Sequence, residues 1–352
     1  MKKSLIALAV LAASGAAMAQ SSVTLFGVVD ATYAYGSGSV SNRSQLTNSG
    51  YNSSRLGFRG VEDLGGGLTA SFWLEAGVNN DNGTGGSTNT NNQATGASAS
   101  GGLVFNRRST VSLSGGFGEV RLGRDYTPQF WNLTVFDPFG TNGVGTTQTL
   151  NSSLGGPVTI RASNAIGYFL PSGLGGFYGQ AQYYLGENAS NAANKKDGTG
   201  LALRAGFANG PINVAIAFSD TKYLAGNIKT TNLGGQYDLG MAKIMAHYNQ
   251  DRNSAVGAPD GSGWLIGGLI PVGAGEIRLA YSTYKTDVAV GADPKSNKLA
   301  LGYVHNLSKR TALYATYAHV SNKNGAAQAL NGAVTAAGNN SNGYDLGIRH
   351  SF

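Results

Sequence analysis

Arginine is the residue type in this chain whose spacing best suggests chemistry, because a row of fixed cations attracts and orients anions. In an extended segment, side chains alternate between two faces, so Arg55 and Arg59 share one face while Leu56 and Phe58 occupy the other. The same alternation groups further arginines with polar residues: Arg108 with Thr110, Arg121 with Glu119, and Arg161 with Ser163. Such a set can concentrate anions but cannot by itself make or break bonds.

Catalytic chemistry has little support in the sequence. The chain has no cysteine, which excludes disulfides and thiolate catalysis. None of the four histidines stands in a recognisable nucleophile or metal motif, and we expect them at strand ends or on the surface: His247, His305, His319 and His350. The loop carboxylates are scattered, so we expect no dedicated metal site, no cofactor and no enzyme activity.

The elements that carry these arginines are short segments with period-two alternation. "VTLFGVVDATYAY" sets Val23, Leu25 and Val29 on one face and Asp30 and Thr32 on the other. Segments of this kind, near ten residues long, recur along the chain and are typical of transmembrane β-strands. Many aromatic residues, Trp73 among them, lie near the predicted strand ends, as in aromatic girdles. A lipid-facing arginine costs about 2 to 4 kcal/mol at mid-bilayer, so the arginines should face water.

The connections between these segments predict the strand number. Seven short turns such as "EDLGGG" alternate with eight longer polar loops, which joins sixteen strands and leaves both termini on the short-turn side. Charged residues make up only 12% of the chain, against about a quarter in soluble proteins, and no long apolar run follows the N-terminal region. The sequence therefore predicts an all-β, antiparallel, 16-stranded transmembrane barrel, closed so that every backbone group finds a partner.

The N-terminal residues predict export. Lys2 and Lys3 precede an apolar stretch, and Ala17 to Ala19 form an A-x-A cleavage site. We therefore expect residues 1–19 to be a signal peptide and residues 20–352 to form one barrel domain in the bacterial outer membrane. The positive charges are not clustered into basic blocks, so no nucleic-acid binding is expected.

The stretch "GRDYTPQFWNLTVFDPFG", from Gly123 to Gly140, is unusually apolar for a loop. Its large apolar side chains would gain by packing against other protein surface. Irregular backbone at membrane depth is tolerated where it lines a cavity. We therefore expect this stretch to fold into the barrel; the alternative is a loop packed on the barrel surface or at a trimer contact.

Several blocks resemble the trimeric sixteen-stranded general porins of β-proteobacteria. They are "SSVTLFGVVDATYAY", "SRLGFRGVEDLGGGLTASFWLE", "FNRRSTVSLSGGFGEVRLGRDYTP" with "DPFG", and the ending "GIRHSF". The resemblance covers the whole mature chain. It implies a homotrimer in outer-membrane lipid and lipopolysaccharide, an inward third extracellular loop, and passage of small ions and solutes. It also implies that the terminal Phe352 belongs to the insertion signal read by the barrel-assembly machinery.

The resemblance further implies a channel constriction. Anion-preferring members carry constriction arginines on the second, fourth and sixth strands, which match Arg55, the pair Arg107 and Arg108, and Arg161. Alternation favours Arg108 of the pair, whereas the pattern "FNR" favours Arg107. Arg59 and Arg121 are further pore-lining candidates, with Asp125 and Asp137 as the acidic partners on the loop.

The expected function is passive diffusion of ions and small hydrophilic solutes with a moderate anion preference. The preference is moderate because four acidic residues share the water-facing alternation: Asp30, Glu75, Glu119 and Asp345. The alternative is an outer-membrane barrel that acts mainly as an adhesin or receptor through its Asn, Ser, Gly and Thr-rich loops.

Overall fold

The chain forms one closed antiparallel β-barrel in a computed structural model that describes residues 22–97, 101–152 and 154–352. The predicted signal peptide, residues 1–19, lies outside the described residues. Sixteen strands build the wall: β1 (Ser22–Ser37), β2 (Arg55–Gly65), β3 (Leu68–Asn79), β4 (Arg108–Gly115), β5 (Gly118–Tyr126), β6 (Arg161–Phe169), β7 (Phe177–Tyr184), β8 (Gly200–Asn209), β9 (Ile212–Thr221), β10 (Ile228–Asp238), β11 (Lys243–Asn253), β12 (Asp260–Val272), β13 (Gly275–Asp287), β14 (Lys295–Asn306), β15 (Thr311–Lys323) and β16 (Ser341–Ser351).

Each strand pairs antiparallel with the next along the chain, and β16 pairs with β1 to close the barrel. The closing register joins Val28 to Ser351 and Ser37 to Asn342. Closure leaves the wall without an open sheet edge, as a bilayer requires. The predicted sixteen-stranded antiparallel barrel is confirmed. No helix in the described ranges is long and apolar enough to cross a membrane.

The two faces of the wall follow the alternation read from the sequence. On β1, Val23 and Leu25 are 70% and 55% exposed on the outer face, whereas Asp30 and Thr32 are fully buried on the inner face. Trp73 was wrongly grouped with the strand-end aromatics of an outer girdle. It faces inward with Glu75, as its position in the alternation requires, and its ring packs against Phe26 at 4.9 Å between centroids.

The connections alternate between the two barrel ends as expected, but their lengths overlap. Three of the eight loops, residues 222–227, 254–259 and 288–294, are no longer than the turn at residues 170–176. The loop that leaves β15, residues 324–340, turns inward, and its Leu330 is buried against Val144. The third loop and this last loop therefore share one packed region inside the barrel.

The second wall strand is interrupted by an inward projection, residues Ser49–Ser54. The chain first descends along β1 as a short strand, Arg43–Asn48, then leaves the wall and rejoins it as β2 at Arg55. Ser49 has a φ of 67°, in the left-handed region that a sharp departure from a strand requires. This break was not predicted, because the residues that hold the projection are distant along the chain.

The third loop, residues 127–160 and here named L3, folds into the barrel. It contains helix α1 (Pro128–Val135) and the short helix α2 (Gln148–Ser152). Pro128 at the first turn of α1 suits a helix start, because proline lacks the N–H that would stay unpaired there. The predicted inward loop is thereby confirmed.

Buried contacts hold L3 against the inner wall of the second half of the barrel. The amide of Asn132 donates to Asn232 Oδ1 on β10 at 3.0 Å, and the main-chain N–H of Gln148 donates to Ser282 Oγ on β13 at 2.9 Å. Phe136 packs over Gly234, where any side chain would collide with its ring. These contacts leave the open part of the lumen between L3 and the first strands.

Candidate constriction site

The narrow part of the lumen is a cavity of about 530 Å³ between L3 and the inner wall at β2, β5 and β6. Wall arginines line one side, and the inward projection Ser49–Ser54 borders it. The projection contacts L3 directly, since Ser53 Oγ donates to Asn142 Oδ1 at 2.6 Å. Residues from three separate parts of the chain therefore surround one passage.

Three of the predicted arginines meet at this cavity, Arg55, Arg107 and Arg161, and together they are named the arginine wall. Arg107 Nε donates to Glu75 Oε1 at 2.6 Å, and Arg55 Nη1 lies 3.5 Å from the same oxygen. The other Glu75 oxygen accepts from Trp73 Nε1 at 3.0 Å. One buried carboxylate thus offsets part of the charge of three cations.

Tyr126 orders the other half of the arginine wall. Its hydroxyl oxygen accepts from Arg107 Nη2 at 2.8 Å and from Arg161 Nη2 at 2.9 Å. The guanidinium of Arg161 also lies 4.4 Å from the centroid of the Tyr126 ring, a cation–π arrangement. Arg161 Nε donates to the main-chain oxygen of Arg107 at 2.8 Å. The guanidinium planes are therefore held at fixed positions rather than left free in the lumen.

Arg107 and Arg108 both point inward, for different reasons. Arg108 is the first residue of β4 and follows the alternation, with Nε 3.0 Å from Thr110 Oγ1. Arg107 precedes the strand, so alternation does not constrain it, and its side chain turns towards Glu75. Arg107 lines the cavity, whereas Arg108 lies beside Trp73, with its guanidinium 4.6 Å from the ring centroid.

Arg161 also stands at a strand end. The pairing of β5 with β6 shifts between Gly123 and Asp125, which gives β6 one extra residue near Ser163. The alternation of Arg161 with Ser163 is therefore interrupted, and Arg161 reaches the cavity as the first residue of its strand.

Four of the other charged candidates lie along the wall outside the cavity lining: Arg59, Arg108, Arg121 and Asp125. Arg121 binds Asp125 at 2.5 Å and Glu119 at 3.0 Å, and Arg108 Nε lies 3.9 Å from Asp125. Arg59 is exposed in the lumen over the rings of Phe26 and Trp73. Asp125 is thus a wall residue of β5 on the same side as the arginines, not a loop residue facing them.

The carboxylate of Asp137, the second acidic candidate, forms hydrogen bonds within L3 itself. Its carboxylate accepts the main-chain N–H groups of Phe139 at 2.9 Å, Thr141 at 3.2 Å and Thr147 at 2.9 Å. The residue is only 3% exposed. Asp137 therefore borders the same cavity as the arginine wall, but its carboxylate is bound to the main chain of L3 and shapes the loop.

Apart from the buried carboxylate of Asp137, the side of L3 that borders the cavity carries no charge. Helix α1 buries Phe130, Asn132 and Leu133 and leaves Trp131, Thr134 and Val135 partly exposed to the cavity. Residues 127–160 contain no charged residue except Asp137. The arginine wall consequently has an apolar and hydroxyl-bearing surface in front of it.

Asp30 holds the projection in place. Its Oδ2 accepts the main-chain N–H groups of Tyr51 at 2.9 Å and Asn52 at 2.6 Å, and its Oδ1 accepts from Tyr314 Oη at 2.5 Å. Asn52 in turn contacts Arg55. The buried carboxylate therefore positions Asn52, and through Asn52 it supports Arg55 at one edge of the arginine wall.

A fourth cation at the cavity was missed. Arg278 on β13 lines it, with the guanidinium 4.5 Å from the ring of Tyr51 on the projection and an ion pair to Glu276 at 2.9 Å. Alternation could have found Arg278 as inward-facing, but its partner Tyr51 depends on the projection. Tyr126 was also missed in this role, because only the closed barrel brings its hydroxyl between two arginines.

The expectation for His247 was wrong. It lies mid-strand on β11, is 3% exposed and faces inward, not at a strand end or on the surface. Among the described residues, no group of three or more His, Cys, Asp or Glu side chains could hold a metal ion.

Comparison with known families decides the identity. The sequence profile described as Gram-negative porin matches residues 5–325. The chain belongs to the Gram-negative porin family. This porin is an outer-membrane channel protein, as inferred from the sequence, and its family is not a family of enzymes.

Relatives from β-proteobacteria match this porin over its full length. Outer membrane porin protein 32 of Delftia acidovorans is 40% identical over 370 residues, covering 100% of both chains. An outer membrane porin of Bordetella pertussis is 29% identical over 418 residues, again covering 100% of both. The predicted relationship to β-proteobacterial porins is thereby confirmed.

A solved structure agrees with the barrel. The anion-selective porin from Comamonas acidovorans superimposes with a TM-score of 0.82 at 36% identity, covering 95% of this porin and 100% of that chain. Porin homologues form trimers, and OmpT of Vibrio cholerae in trimer form shares the fold at 14% identity with a TM-score of 0.67.

Proposed function

We propose that this porin is a passive diffusion channel that favours anions, with the arginine wall as its selectivity element. The supporting observation is the asymmetry of the constriction. Arg55, Arg107 and Arg161 line one side with Glu75 as their only carboxylate partner among the described contacts. The single carboxylate of L3, Asp137, is buried and bound to main-chain N–H groups. A transverse field of this kind lowers the barrier for anions and raises it for cations.

Protein contacts hold the guanidinium groups of the arginine wall in place, and part of each group stays exposed to the passage. Side-chain exposure is 23% for Arg55 and 10% for Arg107, so each guanidinium reaches the passage while two of its nitrogens donate to protein groups. An entering anion exchanges part of its water shell for N–H donors that are already oriented. Passage then needs no energy input and no high-affinity pocket.

The preference for anions should be moderate, because nearby carboxylates offset part of the positive charge of the arginines. Glu75 neutralises part of the arginine wall, and Asp125 and Glu119 neutralise Arg121 below it. Similarity to a porin described as anion-selective supports the same sign of selectivity. The loops at the outer end carry no observation that favours an adhesin or receptor role over a channel.

The assembly that goes with this function is a homotrimer in outer-membrane lipid and lipopolysaccharide. The supporting features are the apolar outer face and the trimeric state of porin homologues. We place removal of residues 1–19 before insertion, and recognition of Phe352 by the barrel-assembly machinery as the insertion signal. Phe352 lies 44% exposed at the end of the last strand, where such recognition is sterically open.

Planar-bilayer recording tests the proposal. The refolded protein should give conductance steps in threes, and in a KCl gradient the zero-current potential should lie towards the anion equilibrium value. Bilayers that stay closed would contradict the channel, and a cation-directed potential would contradict the arginine wall as selectivity element.

A further inference from the structure

The apolar face of L3 is unexplained by simple ion passage. A water-filled channel for small hydrophilic ions gains nothing from a tryptophan in its narrowest part. Yet Trp131 and Val135, one helical turn apart on α1, are partly exposed to the cavity. The helix has buried apolar residues of its own, Phe130 and Leu133, which already anchor it to the wall side.

The apolar face and the arginine wall meet at Tyr126. The Trp131 ring contacts Tyr126 edge-on with 5.3 Å between centroids, and Phe130 stacks on Tyr126 at 4.9 Å. The hydroxyl of the same Tyr126 lies between the guanidinium groups of Arg107 and Arg161. Fixed cations and an aromatic surface therefore lie next to each other in one passage.

A solute that matches both surfaces is an anion with an apolar ring. Its carboxylate would accept from the guanidinium groups, while its ring would pack against Trp131 and Val135. Contact between aromatic rings adds attraction beyond the loss of exposed area. An equally charged solute covered with hydroxyl groups would have to give up water on the apolar face without compensation.

We propose that the constriction of this porin favours aromatic monocarboxylates over equally charged hydrophilic anions, relative to their mobilities in free solution. The inference rests on the proposed anion channel and names the solute class that its constriction selects. The arginine wall sets the sign of the charge, and Trp131 with Val135 distinguishes among anions.

Benzoate and quinate are suitable probes, because both are six-membered-ring monocarboxylates and quinate carries hydroxyl groups. Their permeabilities relative to chloride are measured from zero-current potentials in planar bilayers with the native protein. The benzoate-to-quinate ratio should exceed the ratio of their mobilities in free solution by about 3- to 10-fold, the scale of one aromatic contact.

Substitutions on α1 separate the effect of the apolar face of L3 from that of the arginine wall. Trp131→Ser should bring the benzoate-to-quinate ratio close to the free-solution value while chloride preference over potassium is kept. Trp131→Phe keeps an aromatic ring at this position and should retain most of the native ratio. This control shows that the effect of Trp131→Ser comes from loss of the ring and not from a general change in the shape of L3. Trp264→Ser is the matched control, because Trp264 is 41% exposed on the outer face of β12 and should leave the ratio unchanged.

The outcomes distinguish selection of aromatic anions from the proposed function as an anion channel. A native channel that prefers chloride but passes benzoate and quinate in their free-solution ratio overturns the inference and leaves the anion channel intact. An unchanged ratio in Trp131→Ser also overturns it. A channel with no preference for chloride over potassium contradicts the proposed function itself.

Discussion

Replacing Glu75 with glutamine should make the channel more anion-selective. Glu75 is the carboxylate inside the arginine wall, 2.6 Å from Arg107 Nε and 3.5 Å from Arg55 Nη1, and its side chain is only 6% exposed. Glu75→Gln removes one negative charge and keeps an oxygen that can accept from Arg107. The arginines stay in place while the charge that offsets them disappears.

The size of the effect follows from Coulomb's law. A monovalent ion passing ~7 Å from the carboxylate interacts with it by ~0.6 kcal/mol at a water-like dielectric constant. Screening at ~0.1 M salt reduces this by roughly half. Because the change favours the anion and disfavours the cation, the chloride-to-potassium permeability ratio should rise about threefold, and by more at lower salt.

The assay is the zero-current potential of the native protein and the variant in the same KCl gradient, repeated at two ionic strengths. Glu119→Gln is the matched control, because Glu119 pairs with Arg121 outside the cavity lining and should change the ratio less. An unchanged or lower chloride preference in a folded Glu75→Gln barrel would refute the reasoning. It would mean that ions do not pass close to the arginine wall.

Two other substitutions test how the passage is held open. Asp30→Asn removes the buried charge that binds the Tyr51 and Asn52 main-chain N–H groups, so the projection should loosen and single-channel conductance should become larger and noisier. The strand ladder is untouched, so the unfolding temperature should change little, and conductance identical to the native value would contradict this role of Asp30. Lys298→Met removes a 1% exposed ammonium that donates to the Val144 oxygen of L3 at 3.3 Å. Leaving a buried acceptor without its donor costs about 1 to 3 kcal/mol, so L3 should detach intermittently, seen as current fluctuations; a quiet native-like trace would count against Lys298 as an anchor.

The barrel could be predicted because the alternation of side chains along a strand can be read from a short stretch of sequence. Alternation alone placed Val23 outward and Asp30 inward, since each strand has one face in lipid and the other in the lumen. The inward course of L3 followed from its apolar content. Trp73 was assigned to a girdle from its position near a strand end, although it shares the alternation of Glu75, and Glu75 faces the lumen.

The finer geometry of the constriction depends on contacts between distant parts of the chain. The projection Ser49–Ser54 exists because Asp30 binds its main chain from 21 and 22 residues away. Arg107 points inward because it stands before its strand and meets Glu75, 32 residues away. No short sequence window contains both partners of such a contact, so the arginines were found as a group while their arrangement was not.

The arginine wall as the source of selectivity is tested most directly by removing its charges together. In a KCl gradient of about tenfold, the native channel should give a zero-current potential on the anion side. The triple variant Arg55→Gln, Arg107→Gln and Arg161→Gln should shift that potential to the cation side, because Glu75 is then left without its arginine partners. A triple variant that folds, conducts and keeps the native anion-directed potential would contradict the account.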